Sequence, residues 1–440
     1  DGAGYRESVQ LDLDFVRSNF PALSRPVNEG QSFFENAGGS FACQPTIDAM
    51  HEYYTDLKVQ PFSEFGSSHR AGELMDRSRE RWAEALGVEA REVVFGPSTS
   101  ANTYVLAHAF AEVLEPGNEV IVTNQDHEAN TGAIRRAAER VGCEVKEWRI
   151  DPDTGLLDIA DFEALLSDRT GLVTVPHASN IVGSENDVTR ITQLAHAVGA
   201  RVIVDGVSFA PHSLPDVGMI GADVYLFSLY KTYSVHQGLM VVRAGLMAEL
   251  PNQSHFFNDS VADKRLNPAG PDHAQVASAG AVLEYVEALH QHHGGSATDD
   301  LRTAVAGASR LWRAHEDAFT PRLLDVLSGR DDVPNASGLS RSMPSRATVA
   351  RPLRSARLPR IRKMSPMNSS CGGSRPARAT TTRRGYSRVS ASTPTVVWCG
   401  CRSCTTPHPM TSSGPSMPST TCLADAFVTA AAPKLDRRLM

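Results

Sequence analysis

The stretch Ala222-Asp-Val-Tyr-Leu-Phe-Ser228-Leu-Tyr-Lys231 decides how this 440-residue chain is read. Its apolar run predicts a buried strand, and Lys231 stands where that strand empties into a loop. A single lysine there is ordinarily a solvated loop residue. A second apolar run, Arg201-Val-Ile-Val-Asp205, changes the weighing, because it brings a carboxylate to its own strand end just before Gly206. An amine and a carboxylate at successive strand ends suit pyridoxal phosphate. That cofactor needs an amine for a Schiff base and a carboxylate to keep its pyridine nitrogen protonated.

Working outward, strand-like and helix-like segments alternate. Glu92-Val-Val-Phe, Glu119-Val-Ile-Val-Thr, Glu144-Val-Lys-Glu-Trp and Leu172-Val-Thr-Val-Pro predict strands. Between and around them, Arg77 to Leu86, Thr99 to Leu114, Ala129 to Val141 and Ile191 to Val198 predict helices. Further helices are predicted over Ala277 to Leu289 and Leu301 to Phe319. Such alternation implies an α/β fold with a mostly parallel sheet covered on both faces. Ligands in these sheets gather at the carboxyl ends of the strands, where Asp205 and Lys231 are placed.

Other features fall in register with that edge. Gly96-Pro-Ser98-Thr99-Ser100 lies between a strand and a helix, which suits either an anion site or a plain N-cap. His127, in Asn124-Gln-Asp-His-Glu-Ala-Asn130, follows a strand end and is a candidate to lie flat on a pyridine ring. Asn180, in His177-Ala-Ser-Asn-Ile-Val-Gly183, is a candidate donor to the cofactor's phenolic oxygen, and Ser228 adds a hydroxyl for the phosphate. The cluster His290-Gln-His-His-Gly-Gly reads as helix-end chemistry rather than a metal site.

Composition narrows the class. Hydrophobic residues make up 41%, enough for a sizeable core, and no run approaches the length of a membrane span. The opening Asp1-Gly-Ala-Gly-Tyr-Arg-Glu lacks the basic and apolar regions of a signal peptide. Cys43 and Cys143 alone fall in the first 332 residues, which fits a reduced, cytoplasmic enzyme. The net charge of −7 hides a split. Residues 1–332 hold 48 of the 50 acidic and 26 of the 43 basic side chains, a balance of −22. Residues 333–440 balance at +15.

Taken together, these segments resemble the class V aminotransferase superfamily, of the cysteine desulfurase and selenocysteine lyase type. The resemblance runs from about Phe33-Phe-Glu-Asn-Ala-Gly-Gly to His293-Gly-Gly. It implies the fold-type I architecture of pyridoxal phosphate enzymes, with a large cofactor-binding domain over 33–295 and a smaller C-terminal domain beginning at 296–332. Residues 1–32 would pack with that smaller domain. Carried over, Lys231 holds the cofactor and shuttles protons, Asp205 faces the pyridine nitrogen, His127 stacks and Asn180 bonds the ring oxygen. Ser98, Thr99 and Ser228 take the phosphate. Ser208 stands near the cofactor oxygen where many relatives carry glutamine, and Tyr230 replaces a histidine before the lysine. Gly270-Pro-Asp-His replaces a loop that in relatives reaches the neighbouring subunit's phosphate, so a homodimer is implied. The substrate implied is a small amino acid, handled by C–S lyase, β-elimination or epimerase chemistry. Without a matching C-terminal cysteine, persulfide-type desulfuration is expected to be poor.

The resemblance stops near Asp332. Residues 333–440 are rich in Ser, Arg, Pro and Thr and read as disordered or frame-shifted. The segment Val396 to Thr406, rewritten two bases on in GC-rich codons, rereads as an apolar strand of the family's small domain. Cys399-Gly-Cys-Arg-Ser-Cys404 lacks a partner pair for zinc, and no metal is expected. Two competing readings remain: a catalytically impaired fold with a scrambled C-terminal domain, and nucleic-acid binding through Arg351 to Lys363. The latter ranks below the cofactor reading.

Overall fold

A computed structural model of the chain describes residues 10–261 and 264–328. The basic tail, its cysteines and the Arg351–Lys363 stretch lie outside these residues, as does most of the expected small domain. Seven strands form one sheet: β1 Val93–Gly96, β2 Glu119–Thr123, β3 Glu144–Trp148, β4 Thr170–Pro176, β5 Arg201–Asp205, β6 Val224–Ser228 and β7 Gly238–Val242. Their spatial order is β1-β7-β6-β5-β4-β2-β3. Pairs β2·β3, β2·β4, β4·β5 and β5·β6 are parallel, while β7 pairs antiparallel with both β6 and β1. The sheet is mostly parallel, as the alternation predicts, with one reversed strand.

Alternate residues along each strand enter opposite cores, as the two-residue period requires. Phe95, Ile121, Val175, Val204, Phe227 and Leu239 pack with Trp82, Leu86 and Phe162 on one face. Val94, Val122, Leu172, Ile203, Leu226 and Met240 meet Leu106, Phe110, Ile134 and Ala137 on the other. Because both faces are covered, the strands read as continuous apolar runs. The helix Leu301–Ser328 joins the first core through Leu301, Val305, Ala308 and Trp312.

Two elements differ from expectation. Gly238-Leu-Met-Val-Val was not anticipated as a strand, and it fills the gap between β1 and β6. The helix expected over Ala277–Leu289 is two helices, His273–Ala279 and Val282–His292. Contacts with the helix Gly66–Leu86 cause the break. Ser78 Oγ accepts the Gly280 N–H at 2.8 Å, and Trp82 Nε1 donates to the Ala279 carbonyl at 2.9 Å. The histidines at the second helix end hold the N-terminal segment. His292 Nε2 bonds Asp12 Oδ2 at 2.8 Å and its ring stacks on Phe15, while His293 Nε2 accepts the Asp12 N–H.

Gly238 is a tight point. A Cβ there would lie 2.4 Å from the Ser98 carbonyl carbon and 2.5 Å from the Thr99 nitrogen, both backbone atoms. Gly238→Ala is therefore expected to push the helix after β1 away from β7 and to cost about 1–3 kcal/mol. A urea midpoint equal to wild type would contradict this account.

Candidate functional site

The carboxyl ends of β1, β4, β5 and β6 border one cleft of about 500 Å³, part of it open to solvent. Ser98, Thr99, His127, Asn180, Asp205, Ser208, Ser228 and Lys231 all line it. Every site residue expected from the sequence is thus brought to one place.

One end of the cavity is built for an anion. Ser98 caps the helix Thr99–Ala111, its hydroxyl accepting the Ala101 N–H at 3.1 Å. Thr99 Oγ1 and Ser228 Oγ share a 2.7 Å hydrogen bond across the β1 and β6 ends. Asn102 Nδ2 donates to the Gly238 carbonyl at 3.2 Å, tying the helix to β7. Hydroxyls gathered at the positive end of a helix favour a phosphate.

The opposite pole is charged. Asp205 is buried, its Oδ1 accepting the Val207 N–H at 2.8 Å. Burial raises its pKa to about 6, against the pull of that bond and of the His127 and Lys231 charges. Lys231 is half-buried, and burial lowers its pKa while Asp205 opposes the shift. An amine with a depressed pKa is a better nucleophile at neutral pH.

Backbone anchors hold the Lys231 loop. Ser40 donates through its N–H and its hydroxyl to the Tyr230 carbonyl, at 2.8 and 3.0 Å, and Asn36 Nδ2 reaches the Lys231 carbonyl at 3.4 Å. Tyr233 is left-handed at φ 63°, with its N–H on Ser40 Oγ and its carbonyl taking the Cys43 N–H. A tyrosine held in that region marks a loop fixed by its surroundings. The segment Asn36–Cys43, which begins inside the Phe33–Gly39 motif and continues past it, therefore acts as the clip for the lysine.

His127 and Asn180 come from exposed loops at the rim. Gln125 joins those loops: its Nε2 donates to Ser184 Oγ at 3.0 Å, and its Oε1 accepts from Asn186 Nδ2 at 2.8 Å. Three more groups lie behind or within the site, and of these only Tyr230 is singled out by the sequence, as a departure from relatives. Asp126 and Tyr230 line the cavity, and His177 backs Asp205, donating its N–H to the Asp205 carbonyl at 2.7 Å. His177 stacks on Phe209 with ring centroids 3.6 Å apart and shares a 2.8 Å bond with the Tyr225 hydroxyl. Burial, with the Arg313 charge adding, drives its pKa down to about 3, so it stays neutral. Asp126 adjoins His127 and was visible in the motif, whereas His177 and Tyr225 meet only through the fold.

Cys43 does not approach the cavity. It is fully buried at the start of the helix Gln44–Asp56, its Sγ 3.3 Å from Thr46 Oγ1, and burial raises its pKa. Cys143 sits against the Glu115 carbonyl, its pKa likewise raised by burial.

Because the folded protein raises the Asp205 pKa from 3.8 to about 6, it holds that proton more tightly than the unfolded chain. The resulting stability is present below pH ~4 and lost as pH rises through ~6. Asp205→Asn removes the titration. In cofactor-free protein, the variant should gain on wild type by about 2 kcal/mol between pH 4.5 and 7.5. A stability gap between the two that stays constant with pH would refute the assignment.

Comparisons with known proteins agree with this architecture. The pattern of the Aminotransferase class-V family matches residues 32–302. An aminotransferase-like protein of Gibberella zeae is 34% identical over 265 residues, covering 58% of this chain and 64% of that protein. A probable cysteine desulfurase of Mycolicibacterium paratuberculosis is 30% identical over 333 residues, covering 73% of this chain and 47% of the relative. The chain thus spans less than two thirds of either relative. The apo structure of a cysteine desulfurase from Thermococcus onnurineus superposes with a TM-score of 0.61 at 22% identity, covering 73% of this chain and 78% of that one. At that identity the likeness speaks for the fold, and it is the fold-type I architecture expected from the sequence. Class V aminotransferases and cysteine desulfurases use pyridoxal phosphate. By the family pattern across its sheet and site, this chain belongs to the class V aminotransferase family.

Proposed function

We propose that the chain is a pyridoxal phosphate-dependent, cysteine desulfurase-like enzyme acting on a small amino acid at its α- or β-carbon. The observation that carries this reading is the single cavity with hydroxyls and a helix start at one end and the Asp205–Lys231 pair at the other. That donor set fits the cofactor's three polar ends: phosphate, ring nitrogen and aldehyde. When bound, pyridoxal phosphate supplies an electron sink for the carbon that loses a proton.

The residues divide the work as follows. Ser98, Thr99 and Ser228 hold the phosphate. Asp205, ionised beside a cationic ring nitrogen, keeps that nitrogen protonated. Lys231 holds the aldehyde carbon and then moves the α-proton at its Nζ. His127 covers one face of the ring, and Asn180 and Ser208 serve its phenolic oxygen. Among the described residues the thiol positions favour β-elimination, C–S lyase or epimerase chemistry over persulfide transfer, because Cys43 and Cys143 both lie away from the cavity with pKa values raised by burial. Among the described residues both cysteines, Cys43 and Cys143, are unpaired, which suits a reducing cytoplasmic setting. Among the described residues no helix is long and apolar enough to cross a membrane. A homodimer follows from the family resemblance, with the Gly270 loop as the segment facing the second copy.

Purified protein should be yellow, and borohydride should fix the cofactor to the peptide containing Lys231. Lys231→Ala should abolish both the colour of the lysine-bound cofactor and the fixation. Labelling that persists in that variant would sink the assignment. Incubation with a panel of amino acids should release pyruvate or sulfide, or invert the α-carbon, with no persulfide trapped on Cys43 or Cys143. Light scattering at micromolar concentration should return twice the chain mass. A monomer with cofactor bound would overturn the dimer.

A further inference from the structure

A second carboxyl group shares the cavity with Asp205. Asp126 lies at the end of β2, its N–H on Thr123 Oγ1 at 3.1 Å. Its Oδ1 accepts the His127 N–H at 2.8 Å and its Oδ2 accepts Asn130 Nδ2 at 2.5 Å. Asn130 is fully buried one turn into the helix Glu128–Val141. The carboxyl therefore ties the strand end, the His127 backbone and the first helical turn together. His127 is itself the N-cap: Nδ1 accepts the Ala129 N–H at 2.9 Å. That bond consumes Nδ1 as an acceptor, so the neutral imidazole carries its proton on Nε2. One bond thus sets the backbone of His127, and the other sets its ring.

An acid is an expensive way to brace a helix start in this place. Burial and the neighbouring Asp205 charge both raise the Asp126 pKa well above the ordinary range, and only its bonds to Asn130 and His127 oppose them. Asparagine or serine would cap as well with no repulsion. Asp126 also differs from the helix's own cap, since His127 already fills that role. Two acceptor oxygens at fixed separation do what a single hydroxyl does not: they clamp His127 and Asn130 at once.

We propose that Asp126 is a positioning residue that fixes the orientation and tautomer of the His127 imidazole over the cavity lined by Asp205 and Lys231. It acts through His127 rather than on the bound group. The inference rests on the pyridoxal phosphate reading for its consequence in affinity, and on the apo protein for its consequence in tautomer.

The test is a double-mutant cycle on full-length protein, read by pyridoxal phosphate titration and by ¹⁵N spectra of the histidine side chains in apo protein. The His127 signals are identified by their loss in His127→Ala. In apo wild type, His127 should be the Nε2–H tautomer, and in Asp126→Ala the two tautomers should mix. Asp126→Ala should weaken cofactor affinity about tenfold, and Asp126→Glu should restore part of it. In a His127→Ala background the same Asp126→Ala change should have no further effect on affinity. Losses that multiply in the double variant would overturn the proposal, since Asp126 would then act independently of His127. An unchanged His127 tautomer in apo Asp126→Ala would overturn it too. Should Asp126→Ala not fold, Asp126→Asn runs the same cycle, because it keeps one acceptor and sets an amide against the Asn130 amide. Wild-type protein that fails to bind pyridoxal phosphate would refute the cofactor reading alone, leaving the tautomer measurement to decide the role of Asp126.

Discussion

A carboxyl group buried at a strand end is the constraint around which the rest is arranged. Asp205 sits under the cavity with one backbone N–H for company and the charges of His127 and Lys231 in its field. Burying such a charge is costly unless a cation or a proton meets it. The protein answers partly with a raised pKa and partly with the charges of His127 and Lys231. The half-satisfied state of Asp205 thus leaves a buried acid at the cavity that a bound cation would stabilise.

The parallel order of β4, β5 and β6 is what puts these groups together. Adjacent parallel strands deliver their carboxyl ends to one edge, so residues far apart in sequence arrive side by side. β7 completes the anion end because it runs the other way. Its first residue lies between the last residues of β1 and β6, with Gly238 registered against both Gly96 and Ser228. Only a glycine leaves the helix start close enough for Thr99 and Ser228 to share a hydrogen bond.

Much of this was legible in the sequence because it depends on local pattern. Apolar runs named six of the strands, and the residues at their ends named the cavity. What escaped depends on contacts between distant segments. Gly238–Val242 is a short apolar run without flanking helix, and its place is set by pairing with strands on either side. The break at Gly280 is made by Ser78 and Trp82, two hundred residues away in sequence terms. His177 looked like a loop histidine, yet Tyr225 and Phe209 draw it into the interior. Cys43 follows a glycine turn in the sequence, whereas the fold turns its thiol inward to Thr46.

The same distant contacts connect the site to the helix that leaves it. Phe209 lies between two groups, its ring stacked on His177 and its face 5.1 Å from the Arg313 guanidinium. Arg313 also pairs with Glu185, which bridges back to Ala178 in the Asn180 loop. His177 must be neutral for this layering to hold, since a second cation beside Arg313 would be repelled, and burial keeps it so. The floor under Asp205, the loop carrying Asn180 and the helix Leu301–Ser328 are therefore one packed unit. A change in the course of that helix at Arg313 has a physical route to the carboxylate, through one aromatic ring and one imidazole.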